Sequence, residues 1–283
     1  MERAIPCELP FFYFRSAQFN SSKNITFVPN LQEIFKVVKR TFLYINLVIA
    51  LFFVLPVSQA KEKTFTVVID AGHGGADPGA RGVVEEKNMT AATAAELIRL
   101  LQQDANYIPL QTRNSFDETV TPAQRAARAS EQSPQLLLSI HGNSAANGST
   151  ASGFECYPSV PGRTWHQESF YFAQLLAEGM QASGAALRGH GGVRYIYYLE
   201  NDQKQLVEST HTEIREERSF TLLEDVNCPA VLAEQCFVTN EADAARFGSE
   251  EGCKKAARIY YEAICEYFGT QPQSEQLAGL SLN

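Results

Sequence analysis

The stretch TVVIDAGHGGADPGA, residues 66–80, joins a β-branched run to a glycine-rich turn. A continuous apolar run of this kind predicts a strand that is buried on both faces. The glycines let the backbone bend where other residues would clash, and the turn carries one histidine, His73. The pattern predicts that His73 lies just beyond the end of a strand and faces a crevice. A histidine in a glycine-rich loop is more often a hydrogen-bonded turn residue than a ligand, so its role depends on what else reaches the same place.

Strand-like and helix-like segments alternate from residue 64 onward. Strands are predicted at 64–70, 107–112, 136–140, 153–157, 220–223 and 230–233, and helices at 88–103, 121–131, 165–182, 240–247 and 249–268. This alternation predicts a single α/β domain with three layers, in which a largely parallel central sheet is flanked by helices. Residues 195–218 are aromatic at first and then highly charged, and their pattern fits either a surface helix or a long hairpin.

Residues 1–60 have the layout of an N-terminal extension that ends in a secretory signal peptide. Basic residues at 36, 39 and 40 precede an apolar run at 42–57, and small residues follow at 58–60, where a signal peptidase would cleave. An uncleaved membrane anchor is the alternative, although the run is short for a complete span. We therefore predict export to the periplasm or the medium.

The remainder of the chain is predicted to be one catalytic domain, residues 61–269, followed by a flexible tail, residues 270–283. The whole chain has a net charge of -8, and its first sixty residues hold six basic and three acidic residues. The mature domain is therefore still more acidic, which argues against binding of nucleic acid or anionic lipid through bulk charge. We do not expect this domain to span a membrane.

The cysteines of the predicted mature domain give no metal-binding pattern. Five cysteines follow residue 60, and no two of them have the CxxC spacing of a thiolate metal site. Because their number is odd, at least one thiol stays unpaired. Cys156 and Cys236 lie in strand-like runs and are predicted to be small buried hydrophobic residues.

Histidine and glutamate residues follow the ends of several predicted strands. His141 follows the strand at 136–140, and Glu234 follows the strand at 230–233. Because ligands bind beyond the carboxyl ends of the strands in such sheets, both residues are expected at the edge where His73 lies. Glu86 is close to the same edge, where the glycine-rich loop leads into the first helix. Two imidazoles and a carboxylate with an open fourth position form a catalytic zinc site, and a further carboxylate serves as general base.

Six motifs together resemble the zinc-dependent N-acetylmuramoyl-L-alanine amidases of bacterial cell-wall turnover. They are VVIDAGHGGADPGARG, EKNMT, QTRNSFDE, LLLSIHGNSA, ASGFECY and CPAVLAEQCFVTNEAD, and the resemblance covers nearly all of residues 64–268 except 195–218. It implies three Zn²⁺ ligands, His73, Glu86 and His141, and a catalytic carboxylate, Glu234. Glu86 is implied rather than its neighbour Glu85 because the family places its glutamate directly before a lysine.

Two positions depart from the usual family pattern. Gly142 follows the second histidine, where the family usually has alanine, and Gln235-Cys236-Phe237 stands where Gly-Phe is usual. Neither change removes an implied ligand. We expect Gly142 to loosen its loop and residues 235–236 to reshape the floor of the site. We also expect the glycines of the first motif to leave room for a bulky glycan-linked peptide.

The resemblance implies hydrolysis of the amide bond between N-acetylmuramic acid and L-alanine of peptidoglycan, in cell-wall turnover or daughter-cell separation. Two alternatives stay open: a wall-binding or regulatory protein that has lost hydrolysis, and a zinc peptidase that cuts within the stem peptide. In some relatives a helix covers the active site until a partner displaces it. The glutamate-rich segment 195–218 is therefore a candidate lid or inhibitory ligand donor, and an activating protein is a candidate partner. A groove wall or a plain surface elaboration is the simpler interpretation of this segment.

Other polar residues have structural interpretations as well. Three further histidines are predicted to lie on a helix surface, in a loop and on a solvated charged face: His166, His190 and His211. Arg113 and Arg125 lie near the crevice edge, where contact with stem-peptide carboxylates and structural ion pairing are equally open. Asn143 is expected to orient the loop of His141, and Glu155 to support the site rather than to catalyse.

Overall fold

A computed structural model describes residues 64–200 and 203–273, together with residues 32, 35, 36 and 38–43 of the N-terminal segment. The strands are β1 (Phe65–Ala71), β2 (Tyr107–Gln111), β3 (Leu136–Asn143), β4 (Glu155–Pro158), β5 (Arg194–Tyr198), β6 (Lys204–Glu208) and β7 (Ala230–Phe237). The helices are α1 (Glu86–Gln102), α2 (Pro122–Ser130), α3 (His166–Ala182), α4 (Thr221–Asp225), α5 (Glu241–Asp243) and α6 (Glu250–Phe268), and a π-helical turn at Ala244–Gly248 joins the last two.

The central sheet has five strands in the order β2-β1-β3-β7-β4. The first four of these strands are parallel, and β4 alone runs antiparallel to its neighbour β7. Because β1, β3 and β7 are adjacent and parallel, their carboxyl ends meet at one edge of the sheet. The largely parallel sheet that the sequence predicts is confirmed.

Helices cover both faces of this sheet, which makes three layers. Val67 and Ile69 of β1 belong to the core on the side of α1, α3 and α6, whereas Val68 belongs to the core on the side of α2 and α4. Strand residues on both faces are therefore fully buried, as the continuous apolar run at 67–69 predicts. Thr121 caps α2 with a capping box, and the Ser249 side chain caps α6, so two of the helix starts read from the sequence are confirmed.

The prediction of a strand at 220–223 is wrong, because these residues begin α4. The backbone amides of Leu223 and Glu224 donate to the Phe220 carbonyl oxygen, and the Leu222 and Leu223 side chains are buried against the second core. A short apolar run has the same composition in a buried strand and in a buried helical turn, so its periodicity does not distinguish them.

Part of the segment 195–218 forms an antiparallel hairpin, β5 with β6, so the second of the two patterns considered is the one observed. Tyr195 and Tyr197 of β5 are buried in a small core together with Val160 and with Val207 of β6. The hairpin docks beside the central sheet, since Cys156 of β4 forms an isolated bridge with Val193.

The predictions for the chain termini fall largely outside the described residues. Residues 44–60 of the predicted signal peptide and 274–283 of the predicted tail are among them, whereas residues 38–43 are helical. At the beginning of the predicted tail, the backbone amide of Gln273 donates to the Tyr261 hydroxyl at 3.0 Å. In the part of the chain that the structure describes, no helix has both the length and the apolar character needed to cross a membrane.

Candidate metal centre

His73 lies two residues after the end of β1 and has a left-handed backbone conformation, with φ at 61°. Such a conformation is uncommon for residues other than glycine, and the surrounding contacts hold it. The Arg113 guanidinium donates to the carbonyl oxygen of His73, and the imidazole Nδ1 lies 2.8 Å from Asp77 Oδ2. The opposite ring nitrogen, Nε2, lies 3.0 Å from Glu86 Oε1. His73 is thus aimed by its own loop at the first residue of α1.

Glu86 is buried and has a contact at each carboxylate oxygen. Oε1 accepts from the Gly142 amide at 2.9 Å and lies 3.1 Å from His141 Nδ1, while Oε2 accepts from the Ala80 amide at 2.8 Å. Burial opposes its charge, but the hydrogen bonds to His141 and His73 more than offset burial and hold the pKa of Glu86 well below its usual range. The carboxylate therefore stays ionised between two imidazoles.

His141 is near the end of β3 and completes the group. Its burial lowers the pKa of the imidazole, which favours the neutral form that a metal ligand needs. For His73 burial acts in the same direction, but Glu86 and Asp77 raise the pKa of the ring above its usual value. One potential ligand atom each from His73, Glu86 and His141 lies within 4.8 Å of the other two, and the described residues contain no second group of this kind.

Glu234 stands in register with His141 across the β3–β7 ladder. Its side chain is half-buried, yet Oε2 is fully buried and accepts no hydrogen bond from the residues that the structure describes. Burial, followed by the negative charges of Glu86 and Glu155, raises the pKa of Glu234 to about 8. A buried carboxylate oxygen without a partner is costly, and such perturbed groups cluster at functional sites.

A cleft of about 660 Å³ opens above these four residues. Its walls come from three parts of the chain: the loop and start of α2 at 119–122, the end of β3 at 142–144, and the start of α4 at 220–222 together with Tyr198 and Lys204 of the hairpin. This volume lies within the usual range of ligand sites, about 300–1,000 Å³. The four residues that the resemblance implies are therefore brought together on the floor of one cleft.

Residues 67–266 match the profile of a family described as N-acetylmuramoyl-L-alanine amidase. The chain belongs to this family. YqiI of Bacillus subtilis, described as uncharacterized, is 34% identical over 219 residues, which cover 75% of this chain and 90% of that protein. The N-acetylmuramoyl-L-alanine amidase CwlM of Bacillus licheniformis is 26% identical over 214 residues, which cover 75% of this chain and 72% of that protein.

A solved amidase structure also has the same fold. It is the catalytic domain of CwlV, an N-acetylmuramoyl-L-alanine amidase from Bacillus (Paenibacillus) polymyxa var. colistinus, with a TM-score of 0.58 at 26% sequence identity. The likeness covers 74% of this chain and 100% of that domain. Family membership therefore supports hydrolysis of a peptidoglycan amide by this chain.

The glycines of this amidase make room for the site's own side chains. A Cβ on Gly72 would lie 2.5–2.7 Å from three atoms of the His141 ring, and a Cβ on Gly79 would lie 2.6 Å from Glu86 Oε2. Gly142 is part of β3, and a Cβ there would lie 2.7 Å from both Met89 and Val238. An alanine here would therefore require the Met89 and Val238 side chains to shift, and the position lies in a strand rather than in a loosened loop.

The expectation that residues 235–236 reshape the floor of the amidase site is also not supported. The Gln235 side chain donates to the Phe247 carbonyl oxygen at 2.6 Å, and the Cys236 side chain is in the core beside Met89. Neither residue lines the cleft. Cys156 and Cys236 are buried, as predicted, and the five cysteines of the described residues are free thiols.

Arg113 and Arg125 both interact with Asp70, and Arg125 also lines the cleft. Arg125 Nη1 lies 2.5 Å from Asp70 Oδ2, and Arg113 Nη2 lies 3.9 Å from Asp70 Oδ1 while donating to the Ala71 carbonyl oxygen at 2.6 Å. Of the two interpretations that the sequence leaves open, structural ion pairing is the one observed. Asp70 itself carries no signal in the sequence beyond its place at the end of an apolar run.

Glu155 has the supporting contacts expected of it. The Asn143 side chain donates to Oε1 at 2.5 Å, and Arg194 Nη1 lies 2.8 Å from Oε2. Glu155 also pairs in register with Glu234 across the β4–β7 ladder. The same contact fixes the Asn143 side chain against β4, and its role in orienting the chain around His141 stays a prediction.

The remaining histidines lie outside the metal group, and one aspartate escaped the sequence interpretation. His166 is half-buried, with Nδ1 2.8 Å from the Ser159 carbonyl oxygen, rather than on an open helix surface. Asp77 holds the outer nitrogen of His73, a contact that commonly orients metal-binding histidines. The only sequence signal for Asp77 is its position four residues after His73 in the same turn.

Proposed function

We propose that this amidase hydrolyses the bond between N-acetylmuramic acid and L-alanine with Zn²⁺ held by His73, Glu86 and His141. Glu234 is the catalytic carboxylate in this proposal. The observation that carries it is the meeting of three potential ligand atoms and one unpaired buried carboxylate oxygen on the floor of a single cleft. Two imidazoles and one carboxylate are the donor set of catalytic zinc sites with an open position, so the residues fit the metal.

Zinc bound in this group would supply Lewis-acid chemistry, polarising the amide carbonyl and acidifying a water molecule. The chain supplies the rest. Asp77 accepts from the Nδ1–H of His73 and leaves the Nε2 lone pair facing the group. Glu234, which lines the cleft, takes a proton from the attacking water and passes it to the nitrogen of L-alanine as the amide C–N bond breaks.

The site of action follows from the substrate. Peptidoglycan lies outside the cytoplasmic membrane, and we propose that residues 1–60 direct export and that residues 61–269 act as the catalytic domain. Roles in wall turnover and in daughter-cell separation both fit this location. The clear prediction of the export proposal is that the N-terminus of the secreted protein lies close to residue 61.

The products of peptidoglycan digestion test the proposed reaction. Mass spectrometry should find free stem peptides that begin with L-alanine, together with glycan strands that carry intact N-acetylmuramic acid. Chelation should abolish their release, and added Zn²⁺ should restore it. The variant His73→Ala should lose both bound zinc and hydrolysis. Cleavage within the stem peptide would support the zinc peptidase alternative, and binding without any product would support a wall-binding scaffold.

We further propose that a protein partner regulates access to the cleft. A solved neighbour, the CwlD amidase of Clostridioides difficile, is described in complex with the GerS lipoprotein, and its TM-score with this chain is 0.53 at 22% identity. In the segment 195–218, Tyr198 and Lys204 line the cleft, which favours a groove wall. Among the described residues, no glutamate of this segment joins the metal group, which argues against an inhibitory ligand. A shortened hairpin that leaves basal peptidoglycan release unchanged would exclude inhibition by this segment.

A further inference from the structure

The cleft presents three carboxyl groups to a substrate, and a divalent cation in the proposed metal group would offset their charge only at that group. Asp77, Glu86 and Glu234 all line the cleft, and the whole chain is acidic. The stem peptide that leaves with L-alanine also carries carboxylates, and carboxylates at short distance repel each other most strongly in a partly desolvated site. A cation at the cleft wall would therefore have a large influence on which stem peptides bind.

Among the described residues, two cationic side chains other than histidine line the cleft, Arg125 and Lys204. Arg125 is buried, and its guanidinium is fixed in the fold by Asp70 at 2.5 Å. Lys204 is exposed at the start of β6 and forms no ion pair with residues 64–200 or 203–273. Lys204 is consequently the lining cation that remains available to a bound anion within this part of the chain.

Aromatic rings support the Lys204 ammonium group at the cleft wall. Nζ lies 5.6 Å from the ring centre of Tyr198 and 5.9 Å from that of Phe220, within the range of cation–π contacts. Both aromatic residues line the cleft themselves. The contacts reduce the freedom of a long side chain that would otherwise lose rotamer entropy on binding, so the charge is partly preorganised.

We infer that Lys204 is a specificity-determining residue that binds a carboxylate of the stem peptide beside L-alanine. It thereby favours a stem whose second residue keeps a free α-carboxylate over one in which this group is amidated. The inference rests on the proposed amidase reaction and adds to it a substrate class. It also assigns a task to the hairpin, since the hairpin brings both Tyr198 and Lys204 to the cleft.

An alternative role for Lys204 is electrostatic, through the catalytic carboxylate. The positive charge of Lys204 also acts on Glu234, although more weakly than burial and the neighbouring carboxylates do. A residue that worked in this way would change the chemical step for every substrate alike. A residue that binds a substrate carboxylate would change only the KM of substrates that carry it.

A matched pair of substrates separates these roles. N-acetylmuramoyl-L-alanyl-D-glutamic acid and N-acetylmuramoyl-L-alanyl-D-isoglutamine differ only in an α-carboxylate and an α-carboxamide. The wild-type enzyme should have the lower KM for the acid. Lys204→Met should raise the KM for the acid by roughly fivefold, a value typical of the upper range for an exposed ion pair, and leave kcat and the amide substrate almost unchanged. Lys204→Arg should retain most of the preference.

Lys255→Met is the control for the loss of a cation elsewhere, because Lys255 of α6 does not line the cleft and should leave the preference intact. Equal wild-type KM values for the two substrates would overturn the role of Lys204 while leaving the amidase reaction standing. An equal loss of kcat on both substrates in Lys204→Met would overturn it in favour of action through Glu234. If the wild type released no L-alanyl peptide from either substrate, the proposed function would fail and this inference with it.

Discussion

Asp70 and Glu234 are acidic residues near the carboxyl ends of two parallel strands, and their surroundings are opposite. Asp70 is fully buried and accepts hydrogen bonds from Thr112 at 2.5 Å, from Ser139 at 2.7 Å and from Arg125 at 2.5 Å. Glu234 is half-buried and leaves Oε2 without a partner in the described part of the chain. The Asp70 carboxylate thus has several hydrogen-bond donors, whereas Oε2 of Glu234 has none in the described part of the chain.

The difference shows how one sheet edge serves stability and chemistry at the same time. The partners of Asp70 come from β2, β3 and α2 or lie directly beyond these elements, so its charge connects three parts of the fold. Glu234 lines the cleft, and the negative charges of Glu86 and Glu155 add to burial in raising its pKa. A saturated carboxylate has no capacity left for a proton transfer, whereas an unpaired one retains it. The comparison predicts that Asp70 acts mainly on folding and Glu234 mainly on rate.

The largest effect is expected from Glu234→Gln. An amide does not accept the proton from water, so the rate of peptidoglycan hydrolysis should fall by about 10²–10⁴-fold. The variant should still bind zinc, because Glu234 is not among the three proposed ligands. Stem-peptide release and the metal content of the purified protein measure the two quantities. Hydrolysis at the wild-type rate, or loss of the metal, would show that the roles are wrongly assigned.

Asp70→Asn should act on stability instead. Removing one member of a buried ion pair leaves Arg125 uncompensated, and such changes cost about 3–5 kcal/mol of the free energy of unfolding. Urea unfolding of the purified protein measures this loss, and kcat should change far less than in Glu234→Gln. The matched control is Glu118→Gln, which breaks the partly exposed pair with Arg128 at 2.8 Å and should destabilise much less. Equal losses of unfolding free energy in the two variants would contradict the expectation that the buried pair contributes more to stability than the exposed one.

A change in pH is expected to have a smaller effect, on the free energy of unfolding of the metal-free protein. Because the pKa of Glu234 is raised to about 8 in the folded chain, the folded state keeps a proton that the unfolded state has released. The associated stability is fully present below the pKa of the unfolded chain and is lost as the pH rises towards 8. The slope is at most about 1.4 kcal/mol per pH unit. Urea unfolding between pH 5 and pH 8 with a chelator should show it, and Glu234→Gln should remove this component. An unchanged slope in the variant would mean that the unpaired carboxylate has no energetic consequence.

Much of the fold follows from local patterns. The apolar runs of β1, β3 and β7 predict buried strands, and the residues that follow each run predict the edge at which His73, His141 and Glu234 meet. The prediction of a strand at 220–223 is wrong because a run of only four residues fits a buried helical turn and a buried strand equally well. The hairpin β5–β6 lies in a highly charged segment, and this composition does not indicate that two of its tyrosines are buried.

The sequence by itself determined most of the order of strands and helices and the sheet edge at which the site lies, and its resemblance to a family implied four residues of that site. Tertiary structure decided which polar groups form ion pairs and hydrogen bonds with each other. Asp70 and Glu234 both follow apolar runs in the sequence. Only the assembled fold brings Arg125 to Asp70 and leaves an oxygen of Glu234 without a partner among the described residues. Likewise, only the folded loop places Asp77 behind His73, and only the docked hairpin brings Lys204 over two aromatic rings beside the cleft. The physical reason is that hydrogen bonding and desolvation depend on distances between residues far apart in the chain, which no local pattern records.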